Sequence, residues 1–259
     1  MSDKNIAVIG TGISGLTCGY YLFKKGYDIT MFEAADYIGG HTNTAEFEGD
    51  GENQRIDTGF IVFNDRTYPN FIKLLTELDV PYQPSEMSFS VRNDHVNLEY
   101  NGSNFNTLFA QRTNLLRPGF WKMLRDIVRF NREVRTAGQN DPDQTIGQYL
   151  QKSHYSELFR DNYLLPMISA IWSMGLEYCL EFPLAFFVRF FENHGLLDIT
   201  NRPQWYTIKG GSSSYIAPLI SGFRDRIQLN SPVRQVSRTS NGVIVDTGTV
   251  QQRFDHVIL

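Results

Sequence analysis

Cysteine is scarce in this chain: Cys18 and Cys179 are its only two, and they stand far apart. They can build neither a disulfide framework nor a CxxC metal or redox pair. The five histidines, His41, His95, His154, His194 and His256, show no HxxxH or similar spacing, so no metal site is expected. Charge of one sign is never massed in a block. Against 24 Lys and Arg there are 28 Asp and Glu, a net charge of −4. That balance gives no support to a nucleic-acid partner, which normally meets a basic face, and no general reason for attraction to anionic lipid. Long apolar runs are also missing. The longest, FPLAFFVRFF at 182–191, is interrupted by Pro183 and Arg189 and is too short to span a bilayer. No secretory signal is visible, because the first apolar run meets glycines at once. A cytoplasmic, reducing location is the expectation.

What is present fits a soluble α/β chain. With 259 residues, 41% apolar and 14% aromatic, there is enough for one large domain or two ordinary ones. Residues 5–9 read as a buried strand, 14–25 as a helix and 28–33 as a second strand. This is a βαβ unit, and its sheet is expected to be parallel. Residues 34–54 are polar and glycine-rich, and the short apolar run IDTGFIVF follows at 56–63. From Thr67 the spacing is helical through Phe71, Leu74, Leu75 and Leu78, until Asp79-Val80-Pro81 stops it. Residues 86–108 look strand-like, 120–134 repeat helical spacing, 135–142 form a polar loop, and Thr145 caps a helix through Leu150. Further helices run to His194, with Gly195 as the stop. At 205 the pattern turns to strand, glycine turn and helix. Short strands follow at 226–229, 232–237, 243–246 and 249–254, two of them joined by the hairpin signal Asn241-Gly242. The expected architecture is a nucleotide-binding domain of residues 1–65 and 205–259, with residues 66–204 as an inserted, mainly helical domain. RFDHVIL ends at Leu259 within what reads as a buried parallel strand. A truncated chain is therefore expected, a short edge strand being the alternative.

The densest signal is IAVIGTGISGLTCGYYLFKKGYDITMFE, Ile6 to Glu33. Gly10 permits the tight turn out of the strand, Gly12 lets the backbone approach a pyrophosphate, and Gly15 lets the helix lie close on the sheet. The start of the helix, Ile13 and Ser14, offers unpaired N–H groups and partial positive charge to phosphates. Glu33 lies 18 residues after Gly15 and is followed by Ala34. There a carboxylate can accept ribose hydroxyls and would repel a 2′-phosphate, which disfavours NADP. Strand before, helix after and acid at this distance turn a weak motif into an expected dinucleotide site. A second glycine pair, Gly39-Gly40, lies where a plain NAD domain would start its next helix. It points to a longer cofactor.

These residues resemble the FAD enzymes of the amine oxidase, protoporphyrinogen oxidase and phytoene desaturase superfamily. The likeness rests on Gly10-x-Gly12-x-x-Gly15, Glu33, and Gly39-Gly40 followed by a polar residue and threonines. YTIKGGSSSYIAPLISGFRDRIQLNSPVRQVS and FDHVIL extend it near the other end. It covers residues 5–64 and 205–259 well, and the middle only in size and helical character. His41 and IDTGFIVFN look most like a bacterial subgroup of NAD/FAD-binding flavoproteins, often associated with fatty-acid-modifying functions such as cyclopropane or methyl-branched lipid synthesis. The resemblance implies FAD as the cofactor. It implies an α/β fold: a Rossmann-like FAD-binding domain, parallel sheet plus β-meander, with an inserted helical substrate domain. It also implies roles. Gly10, Gly12, Ile13, Ser14 and Gly15 would cradle the pyrophosphate, and Glu33 with Ala34 would hold the adenosine ribose. Gly39, Gly40, His41 and Thr42 would line the pyrophosphate–ribitol section. Thr58, Gly59 and Phe60 would pass close to the flavin ring, and Val233 would pair its backbone with the adenine edge. Two departures stand out. The family usually has Arg at the place of His41, so a permanent cation becomes a titratable donor. The family also closes its flavin site with a Gly-Asp motif that this chain does not contain after Leu259, so weak or absent FAD binding is expected.

Other features have more than one reading. Lys209-Gly210-Gly211-Ser212 reads as a second phosphate nest or as a tight strand-to-helix turn. Trp172 with Phe182, Phe186, Phe187, Phe190 and Phe191 reads as a channel for a long apolar substrate, as a membrane-surface or partner patch, or as ordinary core. Asp57 and Asp65 read as a carboxylate pair or as turn and cap residues. No Ser-His-Asp set has the elbow context that nucleophilic catalysis needs, and no residue is assigned as catalytic. The expected function is flavin-dependent oxidation of an apolar, lipid-like or amine-type small substrate, by hydride transfer to flavin N5. An NAD-dependent dehydrogenase and a non-catalytic dinucleotide-binding module are the alternatives.

Overall fold

The computed structural model describes residues 4–49, 52–141, 143–198 and 202–259. The chain divides into two compact units, Met1–Ser85 with Trp205–Leu259, and Glu86–Gln204.

The first unit opens with β1 (Asn5–Ile9), α1 (Ile13–Lys24) and β2 (Asp28–Phe32). Ala7 and Val8 of β1 are buried, as neighbouring residues of a parallel strand covered on both faces must be. β3 (Thr44–Gly49) and β4 (Glu52–Asp57) then pair as an antiparallel hairpin. In the sequence this hairpin is only a polar, glycine-rich stretch. Ala45 and Phe47 alternate with Thr44, Glu46 and Glu48, but no residue of β3 is buried, so this short alternation marks no core face; residues 50 and 51 lie outside the described residues. β5 (Phe63–Asn64), α2 (Pro69–Glu77) and β6 (Tyr82–Ser85) complete this part.

The second unit starts with a hairpin of β7 (Ser90–Asn93) and β8 (Leu98–Asn101). The strand-like reading of 86–108 ends there, because α3 (Phe105–Leu108) is helical. Asn104 and Thr107 cap it reciprocally: the Thr107 N–H donates to Asn104 Oδ1 at 3.0 Å and the Asn104 N–H to Thr107 Oγ1 at 3.1 Å. α4 (Pro118–Asn140) continues through the residues read as a polar loop. Arg135 pairs there with Glu192 and Asp198, and Gly138 packs closely on Val188, so tertiary contacts extend a helix that composition alone would end. Residue 142 lies outside the described residues. α5 (Ile146–Ser153) has Thr145 as its cap, accepting from the Gln148 N–H at 3.2 Å.

α6 (Glu157–Phe159) and α7 (Leu165–Trp172) are joined through a π turn at Arg160–Leu164. Pro166 has no N–H to give the Asn162 carbonyl one helical turn earlier. The Tyr100 hydroxyl supplies that donor instead, at 2.7 Å, and burial holds its ionisation well above the ordinary phenol range. α8 (Leu184–Asn193) sends Phe187 and Phe191 into the core of this unit, beside Phe130 and Phe159, while Phe186 stays exposed. Trp172 packs on Phe182 and Phe190 at 4.5 and 4.9 Å between ring centres. The aromatic run is thus largely helical core.

β9 (Trp205–Ile208) returns to the first unit and pairs antiparallel with both β5 and β6. That sheet holds residues 63–85 in the first unit. α9 (Ile216–Ile220), β10 (Ile227–Gln228), β11 (Gln235–Thr239), β12 (Gly242–Asp246), β13 (Gln251–Phe254) and β14 (His256–Ile258) follow. The parallel sheet has the order β10-β2-β1-β14, and β11-β12-β13 form an antiparallel meander. Ile6 of β1 lies between Ile29 and His256. Among the described residues no helix is long and apolar enough to cross a membrane.

Tyr100→Phe leaves the Asn162 carbonyl without its hydroxyl partner in a buried place. A loss of about 1–2 kcal/mol is expected, read as a lower denaturant midpoint. An unchanged midpoint would show that the carbonyl is satisfied in another way.

Candidate functional site

In the first unit the end of β1 and the start of α1 border a cavity of about 570 Å3. Gly10, Gly12, Ile13, Ser14 and Gly15 form one wall and Gly39, Gly40, His41 and Thr42 another; Phe60, Tyr68, Phe71 and Tyr215 add an aromatic side. Backbone packing brings the glycine walls together. A Cβ on Gly15 would fall 2.1 Å from the Gly10 carbonyl oxygen. A Cβ on Gly40, whose φ is +57°, would fall 3.2 Å from the Gly12 Cα. Gly12 differs, since a Cβ there would meet nothing within 4 Å; the space beside it is the cavity.

The electrostatics of this space favour an anion. Gly12 caps α1 without a side-chain hydrogen bond, and the first turn carries no acid. Its N–H groups and partial positive charge are therefore left for whatever occupies the cavity. No Asp, Glu, Lys or Arg lines the cavity; Ser14, His41, Thr42, Tyr68 and Tyr215 are the residues of its lining with polar side chains. A pyrophosphate fits this donor set.

Glu33 stands at the end of β2, outside the cavity lining. Its Oε2 accepts from the Thr11 N–H at 2.8 Å and the Thr11 hydroxyl at 2.5 Å, and Oε1 from the Ala35 N–H at 2.9 Å. Burial raises its ionisation. The Ala35 N–H, the Thr11 hydroxyl and the Thr11 and Ala34 N–H groups outweigh that, so the carboxyl sits below its ordinary 4.5. Of the three hydrogen bonds from Thr11 and Ala35, Oε2 takes two and Oε1 one, which makes Oε1 the less committed acceptor for a ribose hydroxyl. Ala34 is exposed beside it. Val233 packs with Ala7, Phe32, Val245 and Phe254, and the Ser231 N–H donates to the Glu33 carbonyl at 2.7 Å. Val233 and Glu33 are thus held at the same end of β2, beside Phe32.

Thr58 and Gly59 do not wall the cavity either. They brace the His41 segment: the Thr58 N–H donates to the Asn43 carbonyl at 3.0 Å and the Phe60 N–H to the His41 carbonyl at 2.9 Å. A Cβ on Gly59 would fall 2.2 Å from the His41 oxygen.

The turn at Gly210-Gly211-Ser212 has an anion of its own. Asp57 Oδ1 accepts from the Ser212 N–H at 2.8 Å, the Ser212 hydroxyl at 3.0 Å and the Thr44 hydroxyl at 2.7 Å. Asp57 is therefore a turn acid, and this nest is filled from within. Three residues on, the Tyr215 hydroxyl lies 2.5 Å from Thr42 Oγ1, both buried. Burial raises the Tyr215 phenol, with the Thr42 contact opposing.

Tyr68, Phe71 and Tyr215, with Val8, Ile9, Ile258 and Leu259, line the cavity but are not among the residues that sequence reasoning selects. Phe71 reads as ordinary helical core, and nothing local distinguishes Tyr215 from its serine neighbours.

Comparison with known proteins decides the family. The profile described as flavin containing amine oxidoreductase matches residues 13–259. The chain belongs to that family. Cyclohexylamine oxidase from Brevibacterium oxydans shares its fold, with a TM-score of 0.74 at 21% identity over 98% of this chain and 57% of that one. A 1-hydroxycarotenoid 3,4-desaturase of Flavobacterium is 28% identical over 87% of this chain and 43% of its own length. An L-amino-acid oxidase of Demansia vestigiata is 21% identical over 99% of this chain and 49% of its own. The chain spans about half the length of the curated relatives it matches. FAD is the cofactor of this amine oxidoreductase family.

Two outcomes follow. Glu33 binds a proton more weakly folded than unfolded, so its contribution to stability is present above 4.5 and lost as pH falls through its lower native value. Glu33→Gln is expected to lower the melting temperature at neutral pH and to flatten its fall below 4.5; melting curves parallel to wild type at every pH would contradict this. Tyr215→Phe leaves the Thr42 hydroxyl buried and unpaired, with an expected cost of about 1–3 kcal/mol, measured by thermal denaturation.

Proposed function

We propose that this chain binds FAD in the first unit and serves the oxidation of an amine-type or apolar small substrate by hydride transfer to the flavin. The observation that carries the reading is the α1 amino terminus, uncapped by any side chain, beside Gly39-Gly40 in a cavity lined by no Asp or Glu. Bound FAD supplies the two-electron redox chemistry. The residues of the chain bind and orient. The N–H groups of Ile13, Ser14 and Gly15 take the pyrophosphate, with Gly10 and Gly12 leaving room for it. Gly39, Gly40, His41 and Thr42 hold the section beyond it. Glu33, with Ala34 beside it, takes one ribose hydroxyl, and the Val233 backbone meets the adenine edge. Thr58 and Gly59 brace the His41 segment, and Phe60, Tyr68, Phe71 and Tyr215 keep water from the apolar end. The second unit, mainly helical, is the substrate domain in this reading.

Titration with FAD and with NAD, followed by flavin fluorescence and by equilibrium dialysis, tests it. Saturable but weak FAD binding is expected, with NAD at least tenfold weaker still. Gly12→Val fills space rather than meeting atoms. It should weaken FAD binding by at least an order of magnitude at an unchanged melting temperature, whereas Gly15→Val should lower both. Equal binding of NAD, or wild-type FAD affinity in Gly12→Val, would overturn the assignment. Turnover of FAD-loaded protein with an artificial electron acceptor then separates an enzyme from a binding module.

A further inference from the structure

Between Glu99 and Asp126 the second unit carries four cations, Arg112, Arg117, Lys122 and Arg125, and no acid, in a chain of net charge −4. The same stretch exposes large apolar side chains. Leu116 is 87% exposed, Phe105 71% and Trp121 45%, with Leu115 also exposed. These side chains form one edge. The rings of Phe105 and Phe109 are 4.9 Å apart and those of Phe109 and Trp121 5.2 Å. The Trp121 indole N–H donates to the Leu115 carbonyl at 2.9 Å. Packing therefore holds the edge outward.

Among the described residues the cations beside it make no ion pair. Arg112 donates to the Asn106 side chain, and Arg117 to the Val96 and Asn97 carbonyls, all neutral. Lys122 and Arg125 are exposed on α4, and neither makes an ion pair among the described residues. Further along α4 the pattern reverses, since Arg129 and Arg132 pair with Asp126 and Glu133, and Arg135 with Glu192 and Asp198. The first half of α4 turns Phe120 and Met123 to the core and leaves Trp121, Lys122, Arg125 and Val128 outside.

We propose that the edge formed by Phe105, Leu115, Leu116 and Trp121, with Arg112, Arg117, Lys122 and Arg125, docks the protein reversibly on an anionic phospholipid surface. Cations interleaved with exposed Trp, Phe and Leu match headgroup phosphates over acyl chains, as in helices that lie in the interface rather than span it. Leu116 beside Arg117 and Trp121 beside Lys122 put both requirements on neighbouring positions. The proposal does not rest on the flavin reading, as none of these residues lines the dinucleotide cavity.

Co-sedimentation of the intact chain with vesicles of mixed phosphatidylglycerol and phosphatidylcholine tests it, against phosphatidylcholine alone. Binding to the mixed vesicles is expected, falling as salt rises. Lys122→Ala and Arg125→Ala should each weaken it roughly fivefold. Leu116→Ser should weaken it at unchanged charge, and a blue shift of emission on binding should vanish in Trp121→Phe. Melting temperatures report folding in each variant, and Leu116→Ser, at the most exposed position, carries the test should others melt early. Absent binding, or equal binding to phosphatidylcholine alone, would overturn the proposal. So would equal affinity for heparin with Leu116→Ser harmless, which would mark a site for a soluble polyanion. FAD titration of the same variants is expected to match wild type, which keeps this test separate from that of the cofactor site.

Discussion

Where α1 crosses the turn that follows β1, only a hydrogen fits. A methyl group on Gly15 would overlap the Gly10 carbonyl oxygen at 2.1 Å. That approach aims the first turn of α1 into the cavity, and Gly40 closes on Gly12 from the far side. Thr11, fully buried between them, ties the arrangement together. Its hydroxyl donates to Glu33 and lies 3.4 Å from the Gly39 N–H. One small side chain thus links the end of β1, the end of β2 and the second glycine loop, so a shift in any of the three is felt by the others.

The first unit contains two glycine turns able to bind an anion, and they are used differently. The turn at 210–212 takes its negative charge from Asp57, whose carboxylate is filled by Ser212 and Thr44. The start of α1 has no such acid. A site is recognisable here less by its donors, which both turns have, than by the absence of an internal acceptor. The same contrast runs through α4, where Arg129, Arg132 and Arg135 meet carboxylates and, among the described residues, the cations before them do not.

Much of the fold could be read from residues close together in the chain. The βαβ unit, the Asn241-Gly242 hairpin and the Thr145 cap follow from glycine, alternation and capping signals that act over a few positions. Elsewhere tertiary contacts outvote local composition. β3 has no buried residue to reveal it, and the end of α4 is polar but held by Glu192, Asp198 and Val188. At the site, the glycines that wall the cavity announce themselves by spacing, while its aromatic side does not.

By itself the sequence determined the strand–glycine turn–helix and its acid, because each depends on backbone space within one local unit. The partner of Thr42, 173 positions away at Tyr215, and the acid of the 210–212 turn, 155 positions away at Asp57, were decided only by the tertiary structure. So was which of the cations go unpaired. Such pairings depend on burial and on distances across the fold, and a chain that encodes them through its whole packing leaves no mark of them at either residue.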